Sequence, residues 1–506
     1  MESLRIRNLR SLTDTGVITF KKINVFVGQN SSGKSTFIRT LPLLKQSAQV
    51  KTLSEILWYG PLVDFGSFDE ALSRSSVSKK IEFIFEMNIS TRHIIRAARF
   101  RFRMPEGTVR AELAISILPE KPTPSSPLMT EYSISIFETE IKLAINEKLK
   151  ILKLVVGGED FTSLPNNYVL FRSFDLLPNI VEVDKVDSQL QYHNKIIEII
   201  KKHTHKNKQI ENIGVTANRL YPGSPSAVLR QLRSLDFGAH WKYKISSWTA
   251  ESEDVLKITS LLIGKNFCGV FEAVGEFLNR TCHSIQYITP LRATAERYYR
   301  IQGLAVDEID PQGNNLAMFL KNLSHEDAES FAQWTGKAMG FEARAKNYEG
   351  HVSIVLSDAG GTQKVNLADT GFGYSQVLPI IAQLWVMAKK KNYREATKFF
   401  AIEQPELHLH PKMQARLADL FVNLIGPGNS SNEFKLVIET HSEVIINQLG
   451  KAVEKGAISA DDIGIYIFDQ NTLEGATRVR ESKFDSDGYL TEWPLGFFDS
   501  EPNDVF

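Results

Sequence analysis

A chain of 506 residues with 42% hydrophobic and 23% charged residues can bury a large core and is long enough to divide into two or more lobes. Lysine plus arginine and aspartate plus glutamate both number 59, so net charge gives no sign of a nucleic-acid binder and leaves only local basic patches to argue from. Cys268 and Cys282 are too few for a disulfide framework or a zinc site and fit a reducing, cytoplasmic setting; the N-terminus alternates like a strand instead of a signal peptide, and no apolar run is long enough for a membrane span.

In chain order, alternation predicts strands over residues 4–9 and 17–20. The apolar run 23–27 then leads directly into Gly28-Gln29-Asn30-Ser31-Ser32-Gly33-Lys34-Ser35, a complete G-x-x-x-x-G-K-[ST] loop, and a helix follows to about residue 46. A strand ending in this loop turns successive backbone N–H groups, those of Asn30, Ser31, Ser32 and Gly33 among them, toward one point, which suits a nucleoside triphosphate. Lys34 is expected at the β- and γ-phosphates, the Ser35 hydroxyl on Mg²⁺ and Thr36 beside the α-phosphate. With the site empty, Lys34 is expected to pack against nothing essential.

From about residue 80 to 156 the chain alternates in the β manner, with a proline-rich loop at 119–127. Arg99, Arg101 and Arg103 fall on one strand face, either tracking phosphates or forming salt bridges on an exposed sheet. A polar helix begins near 188 and carries the basic run 201–208, which reads as a solvated face or as a surface for nucleic acid or a partner; short helices follow to about 279. No repeat and no sustained heptad pattern interrupts this region.

A strand returns at 284–292, and Arg292 and Arg297 follow it as candidates for a site or interface. Three signals come next. Residues 369–376 place Gly373, Ser375 and Gln376 at the start of an apolar helix, where free N–H groups gather. Residues 398–406 form a hydrophobic strand ending in Glu403, a carboxylate suited to holding Mg²⁺ through water. Residues 434–442 form another strand with His441 at its tip. Parallel strands with polar C-terminal ends describe a doubly wound sheet with its ligand at that edge. Asp485-Ser486-Asp487-Gly488 reads as a turn between strands in preference to half a calcium loop.

The order of phosphate loop, signature helix, acidic strand and switch histidine resembles the ABC-type ATPase heads. Within them it is similar to the stand-alone OLD/SMC-like AAA ATPases of bacterial anti-phage operons, the group that includes the Septu and retron-associated ATPases. The resemblance rests on Ile6-Arg7-Asn8-Leu9-Arg10-Ser11, the loop from Gly28 to Thr36, Gly66-Ser67-Phe68, Gly371 to Gln376, Glu403-Gln404-Pro405-Glu406-Leu407-His408-Leu409-His410-Pro411, Glu439-Thr440-His441-Ser442 and Glu492-Trp493-Pro494-Leu495-Gly496-Phe497-Phe498-Asp499. It implies an α/β P-loop NTPase with a largely parallel central sheet flanked by an antiparallel β-subdomain. The two halves of the head are expected at 1–75 and 281–506, with a mixed α+β insertion at 76–280.

It further implies ATP and Mg²⁺ as cofactors and a head-to-tail homodimer as the minimum unit, with higher oligomers left open. Ser375 and the amides near Gly373 would touch the γ-phosphate held by the partner. Such heads usually end the acidic strand in Asp-Glu-Pro, whereas here the proline aligns it as Glu403-Gln404-Pro405. Glu403 then takes the metal role and Gln404 the position of the base. An amide cannot accept a proton but can orient a water; Glu406, one turn on, is the alternative carboxylate. Slow hydrolysis and a long-lived ATP-bound state are expected.

The loop bearing His408 and His410 lies at the dimer interface of such heads, which disfavours a metal pair. The function implied is control of a separately encoded effector, commonly a nuclease, in anti-phage defence. The alternative is an SMC-like DNA repair or recombination ATPase acting on DNA ends, against which the missing heptad arm argues. A nuclease of its own is not expected, because only residues 443–506 follow the switch. The aromatic tail 493–498 either docks on its own head or meets another chain.

Overall fold

The computed structural model describes residues 1–98, 104–121, 123, 126–162, 168–183, 185–303, 305–358, 363–389, 397–426, 434–470 and 477–492. Arg99, Arg101, Arg103 and the aromatic tail lie outside the described residues. The chain forms two compact units, one of residues 1–18, 46–60 and 65–283, the other of residues 19–45, 61–64 and 284–506.

The second unit is built on a six-stranded sheet in the order Ile285–Ile288, Lys398–Glu403, Phe434–Glu439, Ile23–Gly28, Ile463–Gln470 and Thr477–Ser482. The first five strands are mutually parallel and the last is antiparallel. The phosphate-loop strand is buried at every position, and the acidic and switch strands at all but one, because a central parallel strand is covered on both faces. That is why these segments read as continuous apolar runs with no alternation. Around them Leu378, Ile381, Leu384, Leu417, Phe421, Ile445 and Leu449 join Val25, Ile402 and Ile438 in one apolar core. Since parallel strands end at the same edge, Glu403 stands beside Glu439, and Glu439 beside Phe26 of the phosphate-loop strand. A smaller antiparallel sheet of Tyr299–Arg300, His351–Asp358, Phe341–Tyr348 and Lys364–Asn366 leads into the signature helix Phe372–Lys389. The acidic motif after residue 484 closes the expected turn: Asp485 Oδ1 accepts from the Asp487 and Tyr489 amides, and Phe484 bridges Leu490.

The first unit contains an antiparallel sheet along the path Glu159–Asp160, Ile151–Val156, Thr139–Asn146, Leu128–Ile136, Thr108–Pro119, Ile81–Ser90, Ser3–Leu9 and Leu12–Asp14. The first strand therefore pairs within the sheet of the segment expected to be an insertion, in register from Ser3 opposite Glu86 to Arg7 opposite Glu82. The reason is its alternation. Leu4 and Ile6 are fully buried, while Arg5 pairs with Asp14 and Arg7 with Asp14 and Glu82 on the other face. The division of contacts thus differs from the expected boundary at 75/76, since residues 1–18 and 65–75 group with 76–283.

Helices Lys185–Lys202, Ile210–Ala217, Pro225–Ser234, Ala239–Ser246, Glu253–Lys265 and Phe267–Ser284 complete this unit, and Phe271 meets the Tyr132 ring edge to face at 5.5 Å. Part of the basic run folds on itself, as the Lys201 ammonium donates to the Lys206 and Lys208 carbonyls. Among the described residues no helix is long and apolar enough to cross a membrane.

Candidate nucleotide site at the edge of the parallel sheet

The phosphate loop follows from backbone sterics. Gly28 has φ 145°, and a Cβ there would lie 2.1 Å from the Phe468 carbonyl oxygen, so only glycine fits. Ser31 and Gly33 also have positive φ, at 64° and 95°. Asn30 and Ser31 are exposed, Ser32 and Gly33 buried, and Ser35 and Thr36 half-buried. The Ser32 carbonyl accepts from Thr477 Oγ1, and its own Oγ is buried with no hydrogen-bond partner.

Lys34 differs from expectation. It is 3% exposed, and its ammonium donates to the Gly28 carbonyl at 2.8 Å and the Gln29 carbonyl at 2.7 Å. Burial lowers its pKa, with Glu439 opposing that shift. The lysine therefore ties the loop to itself.

The carboxylates at the strand tips have unequal surroundings. Glu403 accepts from Arg39 Nε and Nη2, both at 2.8 Å, and from the Tyr287 hydroxyl at 2.5 Å. This planar, bidentate pair holds both of its oxygens. Arg39 was not anticipated, although it lies four residues after Ser35 and so on the same face of the phosphate-loop helix. Glu439 enters the sequence reading only as the first residue of the switch motif, with no role of its own. Its Oε1 accepts from the Ser35 hydroxyl at 2.9 Å, while Oε2 is buried with no hydrogen-bond partner. Burial, and then the charge of Glu403, push the Glu439 pKa up to about 7. An orphaned buried carboxylate oxygen beside a serine hydroxyl fits a hard divalent cation such as Mg²⁺.

This shift makes an expected result. A carboxyl group that ordinarily titrates near 4.5 and is raised to about 7 holds its proton longer in the folded chain, so its contribution to stability falls as pH rises between those values. The nucleotide-free wild type should therefore lose up to about 3 kcal/mol between pH 5 and 8 relative to Glu439→Gln, whose amide does not titrate. Denaturant melts across that range check it; a difference between the two proteins that does not change with pH contradicts it.

Gln404 has φ 44°, a left-handed backbone unusual for a residue with a side chain. Its N–H donates to the Glu439 carbonyl at 2.8 Å, and its carbonyl accepts from Arg292 Nη2 at 3.3 Å. Glu406 accepts from Thr440 Oγ1 at 2.9 Å and from the His441 amide at 2.7 Å, so both oxygens fasten the switch turn while the residue stays half-buried. Its pKa is raised by burial. His441 is half-buried, and burial, then Lys34, lower its pKa.

Arg292 belongs to this cluster, and Arg297 does not. The Arg292 guanidinium donates to the Glu403 carbonyl at 2.8 Å, keeps Nε and Nη1 buried without partners, and is brought down to about 10 by burial. Arg297 pairs with Asp369 on the surface. Of the signature residues, Gln376 is 2% exposed and exchanges hydrogen bonds with the Arg292 backbone, while the Ser375 hydroxyl donates to the Phe372 carbonyl. These two side chains face inward; Gly371, Phe372 and Tyr374 form the exposed tip, with Gly373 half-buried between them. His410 caps the helix Pro411–Ile425, and His408 packs edge to face on Phe372. No group of three or more His, Cys, Asp or Glu side chains arranged to hold a metal occurs among the described residues.

A glycine-rich loop opening a helix, two carboxylates on the neighbouring strand ends and a histidine-bearing switch at one edge of a parallel sheet define a P-loop nucleotide-binding fold. The chain belongs to the AAA ATPase domain family, whose model matches residues 1–446. Among solved structures it is similar to the SMC head domain from Thermotoga maritima, with 10% identity over 95% of this chain and 97% of that one and a TM-score of 0.33. It is also similar to the Smc head domain with an extended coiled coil bound to the C-terminal domain of ScpA from Pyrococcus furiosus, with 12% identity, 95% of each chain covered and a TM-score of 0.30. At such scores the family assignment rests on the sequence match alone. Among curated proteins none matches the sequence.

Proposed function

We propose that this chain binds ATP with Mg²⁺, hydrolyses it slowly, and works as a homodimer or higher oligomer that controls a separately encoded effector, in anti-phage defence. The observation carrying this reading is the convergence of Lys34, Ser35, Glu403, Glu439 and His441 at one sheet edge. Lys34 binds phosphate from beside its contacts with the Gly28 and Gln29 carbonyls, and the loop amides take the remaining oxygens. Ser35 and a strand-tip carboxylate would supply donors for Mg²⁺, and the ion when bound would neutralise phosphate charge. Gln404 orients water without taking its proton, and with both Glu406 oxygens occupied turnover falls below the enzyme median of about 10 per second. The effector and defence roles are supported by the likeness of the acidic and switch motifs to the defence ATPases. Against the DNA-end reading stand helices of at most 18 residues among the described residues, with no heptad arm.

The split site is tested by mixing. Ser375→Arg is a poor probe, because that side chain is 6% exposed. Gly371 is exposed and a Cβ there meets nothing within 4 Å, so Gly371→Arg is the better probe for blocking the signature tip. Gly371→Arg and Lys34→Ala proteins, each inactive alone, should regain up to about a quarter of wild-type phosphate release when mixed, because random exchange leaves one intact composite site in half of the dimers. No recovery in a mixture shown to exchange subunits would mean that each chain completes its own site. If an effector is the output, toxicity in phage-challenged cells should also require the adjacent gene.

A further inference from the structure

We infer that Glu439, not Glu403, is the carboxylate that faces Mg²⁺ beside Ser35, and that Glu403 is a positioning residue locked to Arg39 and Tyr287. The inference rests on the ATP-binding reading above and deepens it.

Topology supplies the first argument. The switch strand lies directly beside the phosphate-loop strand, and the acidic strand lies one place further away. Both strand-tip carboxylates reach the helix that follows the phosphate loop, Glu403 at Arg39 and Glu439 at Ser35 in its first turn. The contact is direct, with Ser35 Oγ donating to Glu439 Oε1 at 2.9 Å.

The second argument is satisfaction. Glu439 is 3% exposed, and its Oε2 has no donor. A buried polar atom left without a partner is costly, and a hard cation preferring oxygen ligands would remove that cost while the Ser35 hydroxyl turns a lone pair toward the same point. Glu403 is in the opposite condition. It receives two bonds from the Arg39 fork and one from Tyr287, and its side chain is 2% exposed. Offering it to a metal would break a bidentate pair and leave the Arg39 guanidinium without its partner. A bare latch between Ser35 and Glu439 would explain the first hydrogen bond but not the empty second oxygen.

The test reads metal binding apart from turnover. A fluorescent ATP analogue is titrated into the full chain, first in EDTA and then at rising Mg²⁺, with Mn²⁺ electron paramagnetic resonance as a second probe. Glu439→Gln keeps a carbonyl that accepts from Ser35, so it should retain affinity in EDTA and raise the Mg²⁺ and Mn²⁺ half-saturation by about 10–100-fold. Glu403→Gln should shift the same half-saturation far less than Glu439→Gln does, since its amide oxygen still accepts from Arg39. Glu439→Asp draws the carboxylate back by one methylene and should fall between wild type and Glu439→Gln. Should the glutamine variant fail to fold, the aspartate variant carries the test, and a wild-type metal response from it overturns the inference. Wild-type metal dependence in Glu439→Gln, or its loss in Glu403→Gln, also overturns it while leaving ATP binding intact. A wild type that binds no analogue with or without metal overturns the ATP-binding reading itself.

Discussion

Lys34→Ala should lose about 100-fold or more in ATP affinity and should also loosen the empty protein. The first effect follows from removing charge-assisted hydrogen bonds to phosphate, worth about 1.5–3 kcal/mol each; two of them amount to two to four powers of ten. The second effect reverses the reading made from the sequence, in which the lysine packs against nothing essential. Its ammonium satisfies the Gly28 and Gln29 carbonyls, and its stem is buried. Because Gln29 is exposed, water can reach part of this gap, so the loss of stability should stay near about 1 kcal/mol. Lys34→Met, which keeps the apolar stem, should lose affinity equally but unfold closer to wild type. Titration with a fluorescent ATP analogue and thermal melts without nucleotide separate the effects. Unchanged affinity in Lys34→Ala would remove the phosphate-loop assignment.

Arg39→Ala should be the most destabilising change at the site. Glu403 is buried at the sheet edge and Arg39 is its only cationic hydrogen-bond partner among the described residues. Removing one member of such a pair costs about 3–5 kcal/mol in fully buried cases, since the remaining charge is left uncompensated. Here the Arg39 side chain is itself 38% exposed, so water enters and about 2 kcal/mol is expected. Glu403→Gln alone should cost less, because the amide oxygen still accepts from Arg39 and Tyr287. In the double variant the two losses should not add, with a coupling of about 1 kcal/mol or more. Urea melts of the four proteins close the cycle. Strict additivity would mean that Arg39 and Glu403 are neighbours without mutual support.

Much of this architecture is written locally. The unbroken apolar runs ending at Gly28, Glu403 and Glu439 announce central parallel strands, and the phosphate loop announces its own turn and helix. The alternation of Ser3–Leu9 matches that of Ile81–Ser90 and was a legible sign that the first strand belongs to a half-buried antiparallel sheet. What spacing could not supply was lateral order. Ser35 and Glu439 are 404 positions apart and meet only because two strands distant in sequence pair side by side. Arg39 was within reach of a face argument from Ser35, whereas its partner on the acidic strand was not. Glu406 and Ser375 read as free chemical groups because a one-dimensional chain does not reveal which polar atoms already have partners.

The left-handed backbone at Gln404 has a further consequence. A residue with a side chain in that region carries strain of about 1–3 kcal/mol and persists because its surroundings over-determine it. Both groups that hold it, the Glu439 carbonyl and the Arg292 guanidinium, grip main-chain atoms. The bend is therefore not held through the Gln404 side chain, and glutamine and glutamate have nearly the same shape. Their codons differ by one nucleotide, so a single base change places a proton acceptor at this point without rebuilding the turn. On the proposed role of Gln404 in orienting water, the pace of hydrolysis would be reset in one genetic step, with the chain's architecture unaltered.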